Sequence, residues 1–331
     1  SGNDAYHFSF AVACVSLILS IGIYYAFRST FRHVEGGERK KGDVQVEDNL
    51  TPAETKSRIT ALILVFAVVI FFWMAFHQNG LTLTYFADEF TETKAYGATT
   101  MLFDVWNLAL IIGAVYATFA VFQSEKAKGK LTAGAIATAI LVFLAYRVSN
   151  SANAECAVNA PIFQQFNPFY VVALTPVSMA IFGALANKGK EPSAPRKIAY
   201  GMLVAAVGFA VMAFASVGLL TPDAQAAAGD AATFVNPNWL ISTYLVLTFA
   251  ELLLSPMGIS FVSKVAPPKY KGMMMGGWFV ATAIGNWLVS VGGFLWGGIS
   301  LTVVWSVFIV LCLLSALFMF VMMKRLEAAT K

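Results

Sequence analysis

A single carboxylate stands inside an otherwise apolar stretch, TFAELLLSPMGISFV at 248–262, and Glu251 is the residue whose position most demands a chemical explanation. It lies 12 residues after Trp239 and 13 before Lys264, near the middle of a run long enough to cross a bilayer. An acid at that depth costs about 2.5 to 3.5 kcal/mol on insertion scales, so it must face protein or water. Tyr244, Thr248, Glu251 and Ser255 follow at steps of four, three and four, which puts them on one helical face. Pro256 removes an amide donor beside them, leaving the Leu252 carbonyl free or kinking the helix. A carboxyl's proton affinity rises with burial and falls beside a cation, so an acid that alternates between such settings can carry a proton.

Three further polar stripes accompany it. In FFWMAFHQNGLTLTYFADEF, 71–90, Trp73, His77, Thr84 and Asp88 share a face, with Gln78 and Asn79 beside it. His77 reads either as a neutral histidine bonded between helices or as a gating and proton-handling group. In FNPFYVVALTPVS, Asn167, Tyr170 or Val171, Leu174 and Ser178 share a face, and Asn167 is either a ligand contact or a helix cap before Pro168. Trp278, Thr282, Gly285 and Asn286 form the last stripe, with Trp278 as a pocket wall and the neighbouring GMMMG as a small-residue helix contact. Asp104 and Asn107 read as structural or interfacial.

The elements that position these groups must be membrane helices. The 331 residues are 58% hydrophobic and 12% charged, more apolar surface than one water-soluble core could hide. Apolar windows near 8–27, 59–79, 99–122, 131–148, 166–186, 197–220, 238–263, 273–296 and 301–323 predict nine transmembrane helices in an all-α polytopic membrane protein. Continuous apolar runs do not fit the alternating strands of a β-barrel. With the first residue outside, alternate segments hold 20 of the 22 lysines and arginines, leaving only Lys94 and Arg147 on the other side. That asymmetry predicts an N-out, C-in arrangement with a cytoplasmic C-terminus.

Between the first two spans lies a charged linker, 28–58, in which LTPAE predicts a helix start with Thr51 as N-cap, Pro52 at the first position and Glu54 at the third. Spans 99–122 and 131–148, joined by QSEKAKGKL, form a self-contained hairpin. The stretch 221–238 reads as an exposed outer loop. The chain divides into a helix at 1–27, the linker at 28–58, a first bundle helix and outer loop at 59–98, the hairpin at 99–148 and five more helices at 149–331. A leading SGND resembles neither an initiator nor a signal peptide, and the odd span count suggests an N-terminal part outside this sequence.

No paired acids, nucleophile with base, HExxH or GxSxG accompany Glu251 and His77, which argues against a membrane enzyme. Cys14, Cys156 and Cys312 are too scattered for a metal site or disulfide framework. The net charge of +4 belongs to the cytoplasmic loops and implies no nucleic acid. What composition leaves open is a transporter of some small solute, or a non-transporting sensor or assembly subunit.

WLISTYLVLTFAELLLSPMGISFVSKVAPPKYKGMMMGGWFVATAIGNWL resembles the tenth and eleventh helices of proton-coupled oligopeptide transporters, the POT or PTR family of the major facilitator superfamily. FFWMAFHQNGLTLTYFAD is similar to the family's seventh helix and QFNPFYVVALTPV to its eighth. The resemblance implies that 8–27 is the sixth helix, followed by a C-terminal six-helix bundle with an inserted two-helix hairpin, here between the seventh and eighth helices. It also implies a symporter of the bacterial inner membrane that imports di- and tripeptides, with protons as coupling ion, no cofactor or metal, and a missing N-terminal bundle as partner.

Residue by residue, the resemblance makes Glu251 the acid for the peptide's amino terminus, Asn167 its assistant, Trp278 an aromatic pocket wall, Gln78 a polar contact and Ser255 the motif's serine. His77 departs from the pattern, since family members carry glutamate before that glutamine and pair it with an arginine of the other bundle. The family's ExxER motif belongs to the first helix, and EGGER at 35–39 is unrelated to it because it lies in the polar linker.

Overall fold

The structure, a computed structural model, describes residues 2–31 and 50–328, with side chains over 10–30 and 50–328. Two units are present, 1–49 and 50–331. The first contributes α1 (Gly2–Ala26) and the single turn α2 (Arg28–Phe31). The α1 side chains from Phe10 onward are exposed throughout, as suits an apolar helix whose solvent is lipid. EGGER and most of the linker lie outside the described residues.

The second unit holds α3 (Pro52–Phe76), α4 (Thr82–Glu89), α5 (Val105–Gln123), α6 (Ala127–Ser149), α7 (Phe166–Asn187), α8 (Ala194–Ala215), α9 (Pro222–Ala227), α10 (Asn238–Val265), α11 (Lys271–Leu288), α12 (Ser290–Leu295) and α13 (Leu301–Ala328). Among the described residues eight helical segments of this unit are long and apolar enough to span a bilayer, and α1 is a further apolar helix of 25 residues. The nine expected spans therefore each have a helix.

Local chemistry sets the boundaries. Thr51 caps α3 as expected: its Oγ1 accepts from the Glu54 amide at 3.3 Å, while Glu54 Oε2 accepts from the Thr51 amide at 2.8 Å. Such a reciprocal cap contributes about 1 kcal/mol. Asp104 caps α5 by accepting from the Trp106 amide at 2.9 Å. It also binds Arg147 at 3.1 Å, while Arg147 donates to Asn107 Oδ1 at 2.6 Å. The structural reading of Asp104 and Asn107 holds, and Arg147 closes the α5–α6 hairpin. Helix α7 ends at Gly189, whose φ of +64° lets the Lys190 amide reach the Leu185 carbonyl at 2.9 Å.

Two features depart from the sequence expectations. Lys94–Tyr96 (β1) and Glu155–Ala157 (β2) form an antiparallel pair across the base of the hairpin, with Lys94 opposite Ala157 and Tyr96 opposite Glu155. Three-residue strands are too short to leave a readable alternation. The 221–238 stretch is mostly exposed, as expected, but it is also tied down: Gln225, 7% exposed, donates to the carbonyls of Glu89 and Thr233 at 2.8 Å each. The strand pair and these contacts mark one end of the bundle, called here the sheet end.

Helices in lipid gain little from apolar burial, so close approach at small residues matters more. Gly201 and Gly208 bring α8 against α10, where a Cβ would stand 3.0 Å from the Ala250 carbonyl and 2.8 Å from Leu247. The expected GMMMG contact does not form, since Gly272 and Gly276 face open space. The seam that packs α11 on α3 runs instead through Gly277, Ala281 and Gly285, one residue later. At Gly285 a Cβ would lie 2.6 Å from the Ile70 carbonyl oxygen. The same glycine-rich run offers both registers, and only the packed face distinguishes them.

Candidate functional site

Helix α10 carries its polar face through its length without a break at Pro256. Tyr244 and Thr248 are fully buried, whereas Glu251 and Ser255 are half-buried. Opposite them, Asn167 is the second residue of α7, within the helix, and its side chain caps nothing. Its Nδ2 donates to Glu251 Oε2 at 3.0 Å and to Thr248 Oγ1 at 3.1 Å. Of the two readings of Asn167, the helix cap is excluded. Thr248 has a part that its place in the stripe signalled only generically: it holds the amide that faces the acid.

Among the described residues Glu251 forms no ion pair. A half-buried carboxylate at mid-span, bonded by a neutral amide, retains its attraction for a cationic or proton-bearing group. The nearby surface is aromatic. Tyr170, one turn along α7 from Asn167, is half-buried and stacks on Phe166 at 6.1 Å between ring centroids.

Trp278 does not line an open space in this structure. It is 2% exposed, and its indole lies over Gly258 of α10 so closely that a Cβ there would be 1.9 Å from Cη2. The sequence expectation of a pocket wall is corrected to an indole packed between α10 and α11, with Thr282 donating to its carbonyl at 3.1 Å.

The stripe of α3 is corrected more deeply. Helical geometry stops at Phe76, and His77–Gly80 form a tight 3₁₀ turn before α4 begins. Trp73, His77, Thr84 and Asp88 therefore do not share one continuous face. His77 stacks on Trp73 at 4.9 Å with ring planes 17° apart, its imidazole lies within hydrogen-bonding reach of the Asn286 side chain and the Trp73 carbonyl, and the Trp73 Nε1 is buried with no hydrogen-bond partner among the described residues. An orphaned buried donor of this kind is rare in native structures.

Gln78 is fully buried and its amide is spent within the protein. Nε2 donates to Met74 O at 3.1 Å and Val289 O at 3.0 Å, and Oε1 accepts from Thr82 at 3.0 Å. With its amide so occupied and its side chain buried, Gln78 presents no free polar group, against its reading as a polar contact. The Asn79 carbonyl, freed by the 3₁₀ turn, accepts from Gln164 at 2.8 Å, Tyr244 at 2.9 Å and Thr84 at 3.2 Å. Tyr244 thus links the Glu251 face to the break beside His77, a connection no sequence spacing could reveal.

Comparison with known proteins places this geometry in context. Residues 131–293 match the model of the POT family. A peptide transporter YePEPT of Yersinia enterocolitica is 40% identical over 124 residues, which is 38% of this chain and 23% of the relative. A dipeptide and tripeptide permease B of Aliivibrio fischeri is 24% identical over 296 residues, 86% of this chain and 52% of the relative. The chain thus spans no more than about half the length of these relatives. Among solved structures, a peptide transporter POT in complex with sulfate aligns over 97% of this chain and 53% of its own, with 18% identity and a TM-score of 0.59. A POT family transporter in complex with a thioalcohol conjugated peptide gives 18% identity and a TM-score of 0.55 over 97% of this chain and 54% of its own. At these identities the structural likeness establishes the fold.

Proposed function

Because residues 131–293 match the POT family, we propose that the chain is the C-terminal half of a proton-coupled importer of di- and tripeptides. One observation carries this reading most directly: Glu251 sits half-buried at mid-span, held by Asn167 and free of any ion pair among the described residues. A peptide's amino terminus is a cation with three donors, and Glu251 offers a carboxylate that Asn167 keeps in place.

The peptide's carboxylate needs cations, and the N-terminal bundle is the proposed source of them. Alternating access then rocks one bundle against the other around this depth. Glu251 binds the amine in one state and a proton in another, because its surroundings change as the bundles move. His77, stacked on Trp73 at the helix break, serves as the gating group at the position where the family resemblance implies a glutamate. We further assign the protein to the bacterial inner membrane with its C-terminus in the cytoplasm, which the lysine and arginine asymmetry supports.

The test is uptake of labelled dialanine into proteoliposomes holding the full-length transporter, driven by an inward proton gradient. Gradient-dependent uptake is expected, and competition by di- and tripeptides but not by free alanine. Absence of uptake by well-folded protein overturns the substrate assignment.

A further inference from the structure

Two spanning helices are broken at the same level. Helix α3 gives way to α4 through the 3₁₀ turn at 77–80, and α11 gives way to α12 at Val289. A helix break liberates backbone carbonyls that must be bonded elsewhere within a membrane. The Val289 carbonyl accepts from the Gly292 amide at 3.0 Å and also from Gln78 Nε2 at 3.0 Å, so the side chain at one break reaches the backbone of the other.

The outer pieces, α4 and α12, are then joined along their length. Gly292 sits against Gln78 and Thr82 so tightly that a Cβ would be 2.1 Å from Gln78 Oε1 and 2.8 Å from Thr82 Cγ2. Gly293 faces Leu81, with 3.6 Å between an added Cβ and the leucine Cδ2. At the far end the Trp296 indole donates to both oxygens of Glu89, at 3.1 and 3.0 Å, and its ring meets Tyr85 at 5.7 Å and Phe90 at 6.3 Å. Each piece is thus pinned to the other at both ends, while the turn below α4 keeps one side-chain bond to its own inner helix, from Gln78 Nε2 to the Met74 carbonyl at 3.1 Å.

We propose that α4 and α12 move as one body on the paired breaks at 77–81 and 289, and that Gln78 is the positioning residue that makes them do so. Gln78 acts through the Val289 carbonyl and holds the sheet-end pieces together while the inner helices α3 and α11 change their tilt beneath them. Trp296 with Glu89 is the second pin. The consequence is that the opening at the sheet end moves two helices in concert, carrying the position of His77 with them. Transport enters only the second arm of the test, which rests on the peptide-uptake reading.

The first arm uses spin labels in the full-length transporter in liposomes, in a background without Cys14, Cys156 and Cys312. Labels at Asp88→Cys and Phe294→Cys report the outer pair, and labels at Ile63→Cys and Phe279→Cys report the inner pair; all four positions are exposed. The parent should give a narrow distance distribution for the outer pair, and Gln78→Met, which keeps volume but loses both donors, should broaden it about two-fold with the inner pair unchanged. An unchanged outer distribution, a broad one in the parent, or equal broadening of both pairs overturns the proposal.

The second arm cross-links Leu81→Cys to Gly293→Cys with a short bifunctional reagent. Cross-linked protein should keep about half or more of its dipeptide uptake, since a single body loses no motion when tied to itself. Loss of uptake on cross-linking, in a variant that transports beforehand, overturns the proposal. A parent that never transports dialanine refutes the substrate reading, and the spin-label arm still decides this one.

Discussion

Asn167 and Glu251, 84 positions apart in sequence, meet across α7 and α10 with 3.0 Å between Nδ2 and Oε2. The same amide reaches Thr248, so the acid's orientation depends on a neutral group fixed at a second point. Asn167→Ala should therefore raise the KM for dialanine about ten-fold, the size of one lost hydrogen bond to a charged group, with a smaller change in kcat. Concentration-dependent uptake checks this; an unchanged KM would remove Asn167 from the site.

Gly285→Ala should loosen the α3–α11 seam. The added methyl meets a backbone carbonyl at 2.6 Å and the Trp73 Cβ at 2.7 Å, neither of which can swing away. A cost of about 1 to 3 kcal/mol follows from overpacking, read as a lower unfolding temperature in detergent. Gly272→Ala, in open space, should leave that temperature unmoved.

Gly258→Ala should displace the Trp278 indole, which it would meet at 1.9 Å. That indole is 2% exposed and has no open space to move into, so the expected effect is overpacking at a cost of about 1 to 3 kcal/mol. A lower unfolding temperature in detergent is the measurement. An unchanged temperature would show that the α10–α11 contact can open without cost.

Lys197 is a buried cation, its side chain only 4% exposed, paired with Glu191 and set 3.5 Å from Met257 Sδ and 4.1 Å from the Phe182 ring centroid. Its partner is 41% exposed and can return to water. The two deletions are therefore unequal. Glu191→Gln strands the ammonium and should cost about 3 kcal/mol, whereas Lys197→Met should be close to neutral. Thermal unfolding of the two variants side by side checks the asymmetry.

Cys156, on β2, is half-buried, and burial pushes its thiol above the usual range. The thiolate is the reactive form, so labelling by a membrane-impermeant maleimide should be slow at neutral pH and accelerate as pH rises through that raised value. In right-side-out vesicles the label should reach Cys156 without permeabilisation if the sheet end faces outward. Labelling only after permeabilisation would reverse the proposed topology.

The helices were readable because spanning segments are long and nearly free of charge, and the capping box at Thr51 and Glu54 was readable because its spacing is fixed by hydrogen-bond geometry. The pairing of Asn167 with Glu251 was reached through the resemblance rather than spacing. The breaks were not read: Asn79-Gly80 in HQNG is a turn signal that was passed over inside an apolar run, and WLVS at 287–290 contains neither glycine nor proline. What stabilises both is a contact between residues 211 positions apart, Gln78 and Val289. The burial of Trp278 likewise depends on Gly258 from another helix, and the α11 seam could not be told from its one-residue neighbour within a run rich in glycine.

The most direct test of the central claim is proton-driven uptake of labelled dialanine by full-length transporter carrying Glu251→Gln, beside the parent, in proteoliposomes of matched protein content. Glutamine keeps the shape and the contact with Asn167 but loses both charge and titration. The proposed function predicts uptake in the parent and a fall to the protein-free background in the variant. Parent-level, gradient-dependent uptake in the variant would contradict it, leaving Glu251 a structural acid and placing the peptide's amine elsewhere.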